Sequence, residues 1–137
     1  MIMKRYLTIL LMLICTLGTY SQTSAKNIAI SRAKELMIAT ANGNVATIKR
    51  LTTPEFYKDK YPYSDATVRS MLLNVPYEKR QKMIDQVKNH CKATAIMNRA
   101  GDVITVSLAN QITGKEFTIQ LMDESGNGNW LVFEYYY

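Results

Sequence analysis

The amino-acid sequence predicts an α+β domain in which N-terminal helices pack on one face of a four-stranded antiparallel meander. Two patterns carry this expectation. Apolar residues recur at helical spacing as far as His90, and beyond Cys91 the period falls to two. A third observation orders the strands: short polar turns, most of them containing glycine, separate the alternating segments, so each strand returns beside its predecessor.

The helical part reads as five segments. Between Asn27 and Ala41, Ile30, Ala33, Leu36 and Met37 recur on one face, and Asn42-Gly43 supplies a stop, because glycine tolerates the left-handed position that ends many helices. Asn44 can cap a short helix carrying Val45, Ile48 and Leu51. In Thr52-Thr53-Pro54-Glu55, Thr53 is the cap and Pro54 takes the first helical position of a turn that carries Phe56 and Tyr57. Pro62 makes Lys58 to Ser64 a loop. Ser64 or Asp65 then opens a helix with Val68, Met71, Leu72 and Val75 inward, which Pro76 breaks. The last helix runs from Tyr77 to His90, with Met83, Ile84 and Val87 inward.

Four strands follow, over 92–99, 102–110, 115–122 and 129–136. Ile104, Val106 and Leu108 share one face of the second strand, and Phe117, Ile119 and Leu121 share one face of the third. Uninterrupted alternation groups Leu131, Phe133, Tyr135 and Tyr137 on the core face of the fourth. It leaves Trp130, Val132, Glu134 and Tyr136 on the mixed face. A β-bulge would shift this phase.

The first residues, MIMKRYLTILLMLICTLGTYSQTSA, have the order of a secretory signal peptide: basic Lys4 and Arg5, an apolar run, then small polar residues. Residues 1–22 are assigned to it, with cleavage between 21 and 25, and residues 23–137 to a single domain. The apolar run is well short of the ~20 residues of a membrane-crossing helix. Ile14 before Cys15 does not fit a lipobox, so the expected location is periplasmic or extracellular without a lipid anchor. Removing Lys4 and Arg5 takes the formal charge from +6 to +4. The remaining basic residues are scattered, which does not support nucleic-acid binding. Cys91 is then the sole cysteine and cannot form an internal disulfide, so burial is its expected role.

The segments ATANGNVATIKRLTTPEFY and KATAIMNRAGDVITVSLANQITGKEFTIQLMDESGNGNWLVFEYYY resemble the nuclear transport factor two-like, or cystatin-like, cone-shaped α+β superfamily, in particular small secreted bacterial members. The likeness covers most of residues 27–60 and 90–137, and 62–90 fit it poorly. It implies a curved sheet around helices, with a pocket at the wide end. Active members place Asp, Tyr or His in that pocket, and many others bind ligands without catalysis.

No acid–base group falls on the apolar strand faces before the tyrosines. His90 is the only histidine, no pair of ligands has zinc spacing, and no P-loop, G-x-G-x-x-G or G-x-S-x-G is present. Asp102 and Asp123 are accounted for by turn chemistry. No catalytic residue, metal or cofactor is therefore assigned. The expected function is a non-catalytic secreted or periplasmic binding or accessory module. Its small apolar-aromatic pocket would be lined by Phe56, Tyr57, Phe133 and Tyr135, with Tyr61 and Tyr63 at the mouth, and the occupant would be a small molecule or an envelope protein. The alternatives are a homodimer through Met122, Trp130, Val132 and Tyr136 on the mixed sheet face, and an isomerase- or dehydratase-like enzyme.

Overall fold

The computed structural model describes the backbone of residues 2–136 and the side chains of residues 22–136. Five helices precede four strands: α1 (Ile2–Asn42), α2 (Val45–Leu51), α3 (Pro54–Lys60), α4 (Asp65–Leu73), α5 (Tyr77–Asn89), β1 (Cys91–Met97), β2 (Val103–Asn110), β3 (Glu116–Met122) and β4 (Leu131–Tyr136). The strands form one curved, open antiparallel sheet in the order β1-β2-β3-β4, with the helices packed against it. No helix among the described residues is long and apolar enough to cross a membrane. The side chains of the expected signal segment up to Ser21, Cys15 among them, and Tyr137 lie outside the described residues.

The helix boundaries follow from capping chemistry. At the end of α1, Gly43 takes φ +64°, and Asn44 N donates to Ala39 O at 2.9 Å. The side chains of Asn44, Thr53 and Ser64 accept from the backbone N–H groups of Thr47, Phe56 and Thr67, capping α2, α3 and α4. α5 has no side-chain cap and begins after Pro76, whose ring blocks continuation from α4. α1 extends further toward the N-terminus than the stripe over 27–41 suggests, and its backbone passes through residue 22 without a break.

α1 meets the sheet through alanines. Ala29, Ala33, Leu36 and Ala39 are buried at i, i+4, i+7 and i+10, and the short side chains let the helix lie close to β1 and β2. Ile48 and Leu51 of α2 and Val68 of α4 complete the helical side of the core. Ile104, Val106, Ile119 and Leu121 supply the sheet side. Each of these large side chains contributes roughly 1.5–3 kcal/mol by burial. The outer helices bury less than their periodicity predicts: Val68 and Val87 are buried, whereas Met71, Val75 and Met83 are exposed. α4 and α5 pack through narrow stripes, and only one side chain of each is sealed from solvent.

The fourth strand departs from uninterrupted alternation. β3 and β4 pair Met122 with Leu131 and Leu121 with Val132, but Gln120 with Glu134 and Ile119 with Tyr135. Phe133 has no partner in this register, so the strand carries a β-bulge there. The extra residue inverts the phase: Trp130 and Val132 point into the core and are 4% and 0% exposed, while Leu131 and Phe133 lie outside the core cluster. Trp130 and Val132 therefore cannot serve as an outer-face interface, and Phe133 is not part of a core-side pocket. Tyr135, beyond the bulge, packs against the core as alternation predicts.

The bulge makes opposite demands on two neighbouring aromatics. Trp130→Ala should cost about 3–5 kcal/mol, as for other large-to-small core changes. Phe133→Ala should cost about 1 kcal/mol or less. Chemical denaturation of the two variants checks this, and comparable losses would contradict the register.

Candidate ligand-binding site

Where α1 and α5 reach the ends of β2 and β3, the core opens into a cleft. A hollow of about 560 Å³ is lined by Met37, Met83, Val87, Cys91, Leu108 and Phe117, with Gln86, Asn110, Lys115 and Glu116 completing the wall. A smaller hollow of about 110 Å³ shares Met37, Met83 and Phe117 and extends the lining to Leu36, Thr40 and Tyr135. The main hollow falls within the ~300–1,000 Å³ of small-molecule sites, and its composition matches theirs: apolar walls with a few polar groups.

The polar groups of the wall are ordered. Asn110 Nδ2 donates to Gln86 Oε1 at 2.8 Å, joining the end of β2 to α5. Asn110 Oδ1 accepts from the N–H groups of Ile112 and Thr113 at 2.9 and 3.2 Å, which fixes the β2–β3 turn. Glu116 accepts from Ser107 Oγ on the neighbouring strand. Cys91 is half-buried, and desolvation raises its thiol pKa above the ordinary value, with Lys34 pulling weakly the other way. The thiol is thus a neutral, polarisable part of the wall at physiological pH.

The tyrosines divide between two places. Tyr135 reaches the cleft and is held by rings on both sides: Phe56 meets it edge-on at 5.4 Å between centroids, and Phe117 lies tilted at 5.3 Å. Lys60 Nζ sits 4.4 Å from the centre of the same ring. Tyr57, Tyr61 and Tyr63 instead line a separate hollow of about 610 Å³ with Lys49, Asp65, Pro54 and Pro62. There Lys49 Nζ lies 2.7 and 2.8 Å from the two oxygens of Asp65, and Tyr57 Oη donates to Asp65 at 3.5 Å. Burial, then the Asp65 charge, raises the Tyr57 pKa, and the Asp65 hydrogen bond is the first cause of the raised Lys49 pKa. The six residues assigned to one pocket from sequence therefore do not form one. Three share the tyrosine hollow, Tyr135 lines the cleft with Phe56 behind it, and Phe133 lines neither.

The residues that do line the cleft, Met37, Met83, Cys91 and Phe117, read from sequence as ordinary core positions. The available signal is methionine's habit of filling irregular gaps, together with the placement of Cys91 and Phe117 at or next to strand starts. Compared with known proteins, the chain matches no family model, no curated protein and no solved structure.

Because the Cys91 pKa is raised on folding, proton linkage makes its contribution complete below the unfolded-state value and lost as pH rises through the folded value. Iodoacetamide should accordingly modify native Cys91 slowly near neutral pH. The rate should increase at a higher pH than in the urea-unfolded chain, and rate–pH profiles of both states by mass spectrometry test this.

Proposed function

We propose that the chain is a non-catalytic binding module for an amphipathic small molecule. The apolar portion of the ligand lies in the cleft between α1, α5 and the open ends of β2 and β3, and its polar end meets Gln86, Asn110 and Lys115. The observation that carries this reading is the apolar hollow itself, walled by Met37, Met83, Cys91 and Phe117 and edged by an ordered amide pair. The one carboxylate of the wall, Glu116, is engaged by Ser107, which favours binding over acid–base catalysis. The cone-fold resemblance and export by the N-terminal segment belong to the same proposal, which describes a periplasmic or extracellular carrier or accessory protein.

Thermal-shift and calorimetric titration with fatty acids, lysolipids and sterols tests the reading. A saturable stabilisation by one of these classes is expected, weakened about tenfold or more by Met83→Asp. Met83 is 41% exposed, so the substitution leaves folding intact while placing charge at the cleft. The same ligand should protect Cys91 from alkylation. Stabilisation that Met83→Asp leaves unchanged, with no protection of Cys91, would refute the cleft as the site.

A second reading, self-association through the outer sheet face, is supported by the exposed Ile96 on β1 and Tyr136 on β4, at 72% and 50%, and by the half-buried Met122 and Leu131 on the same face. Sedimentation velocity at micromolar protein should show a dimer that Ile96→Lys dissociates. A monomer at every concentration eliminates this reading.

A further inference from the structure

The turn between β3 and β4 reads Asp123-Glu124-Ser125-Gly126-Asn127-Gly128-Asn129. Oxygen-bearing side chains stand at its first, third and fifth positions, and glycine stands at the sixth. That is the spacing at which a loop wraps a calcium ion, the glycine supplying the sharp turn. Gly128 makes this turn with φ +83°, a conformation closed to most side chains. Its N–H donates to Asp123 Oδ2 at 3.0 Å, so the first and sixth positions are drawn together. Ser125 Oγ and Asn127 Oδ1 lie 2.6 Å apart, and Asn129 N donates to Asn127 Oδ1 at 3.1 Å.

The other oxygen of Asp123 points to a ligand independently of the loop's shape. Oδ1 is sealed from solvent and has no hydrogen-bond partner, the one such side-chain atom among the described residues. A carboxylate oxygen in that position is costly unless something positive meets it. No group of three or more His, Cys, Asp and Glu side chains converges among the described residues, and the turn itself contains neither Cys nor His, so its donors are not those of a soft or borderline metal. Carboxylate, hydroxyl, amide and carbonyl oxygens suit a hard cation of variable geometry.

We propose that residues 123–129 form a weak calcium-binding loop, with ligands from Asp123 Oδ1, Ser125 Oγ, Asn127 Oδ1 and the Asn129 carbonyl, and water completing the coordination. The sequence pattern continues to an acidic residue at the twelfth position, Glu134, but β4 carries that residue past the bulge to pair with Gln120. The bidentate carboxylate of a tight site is thus withheld. Arg32 also donates to Asn129 Oδ1 and Trp130 O at 3.2 and 3.1 Å, adding positive charge nearby. Both features place the affinity at the weak end, a Kd on the order of 10⁻⁴–10⁻³ M. Asp123 N donates to Asp102 O at 3.1 Å, so an ion held here ties the β3–β4 turn to the β1–β2 turn. The loop lies at the opposite end of the sheet from the cleft, and the proposal stands apart from the ligand reading.

Terbium luminescence of the full chain, excited through Trp130, tests the loop, since this is the only tryptophan and it stands two residues after Gly128. Emission should rise on adding Tb³⁺ and be displaced by millimolar Ca²⁺, with Mg²⁺ much less effective. Asp123→Asn keeps an acceptor for the Gly128 N–H and removes the charge, and it should weaken Ca²⁺ displacement at least tenfold. Asn127→Ala, which leaves the Asp123 cap intact, should weaken it several-fold. Ca²⁺ should also raise the melting temperature of the wild type and leave that of Asp123→Asn unmoved. Absence of Ca²⁺-displaceable emission in the wild type, or equal displacement in wild type and both variants, overturns the proposal.

Discussion

The unpaired residue at Phe133 lets β4 present Val132 and Tyr135 to the same side of the sheet, although they stand three positions apart. Without it, Val132 and Trp130 could not share the core with Leu121 while Tyr135 packs beside Ile119. Val132 also anchors the helical layer, because its carbonyl accepts from Thr53 N at 2.9 Å and Thr52 bridges to it in parallel. The edge of the sheet is thereby covered by the α2–α3 junction, which satisfies backbone groups that would otherwise invite pairing with another chain. The buried Thr52 at that junction returns its hydroxyl to Ile48 O at 2.7 Å, so the cover carries no unsatisfied side-chain group. One inserted residue thus sets the core face, the position of the only tryptophan and the attachment of the helices.

The cleft follows from how the core is filled along α1. Over Ala29 and Ala33, both fully buried, the short side chains let the helix approach the sheet closely. Toward its C-terminal end α1 offers Met37 and Thr40, α5 offers Met83 and Gln86, β2 offers Leu108 near its end and β3 offers Phe117 near its start. The layers part there, and the side chains of Met37, Met83 and Phe117 wall the space between them. The space lies where the sheet opens, bounded by a hydrogen-bonded amide pair and a turn that Asn110 fixes.

Much of the fold was legible because its signals are local. Asn44, Thr53 and Ser64 cap the helices that their positions announce, Gly43 ends α1, and the alternation of β2 and β3 sorts Ile104, Val106, Ile119 and Leu121 to the core. The register of β4 was not legible, because a bulge is chosen by packing on both faces and leaves the residue pattern ambiguous. Leu131-Val132-Phe133 is apolar at every position, so either phase satisfies it. The candidate site was mostly hidden for a related reason. Met37, Met83 and Phe117 carry core-like patterns, and whether such a residue faces a wall or an interior depends on the spacing of the layers, which no local pattern records. Tyrosine chemistry suits a pocket rim, but three of the tyrosines are organised by α3 and the loop after it, away from the cleft.

That separate tyrosine hollow is best understood as a joint between helices. Lys49 projects from α2, Tyr57 from α3 and Asp65 from the first turn of α4, and the three meet around one carboxylate. Lys49 also lies 5.3 Å from the centre of the Tyr57 ring, and the Tyr61 ring lies tilted against that of Tyr57 at 5.4 Å. Both partners of the ion pair are about half exposed, where such pairs contribute little to stability, so the arrangement fixes geometry more than it adds free energy. Asp65 is placed for this at the positive end of α4, where a carboxylate is favoured. Burial first and then the Asp65 charge raise the Tyr57 pKa, and the Asp65 hydrogen bond raises that of Lys49, so Tyr57 stays neutral and Lys49 charged at neutral pH. The joint holds α2, α3 and α4 in register and so holds Thr53 at the edge of β4, which returns the role of these residues to the packing of the fourth strand.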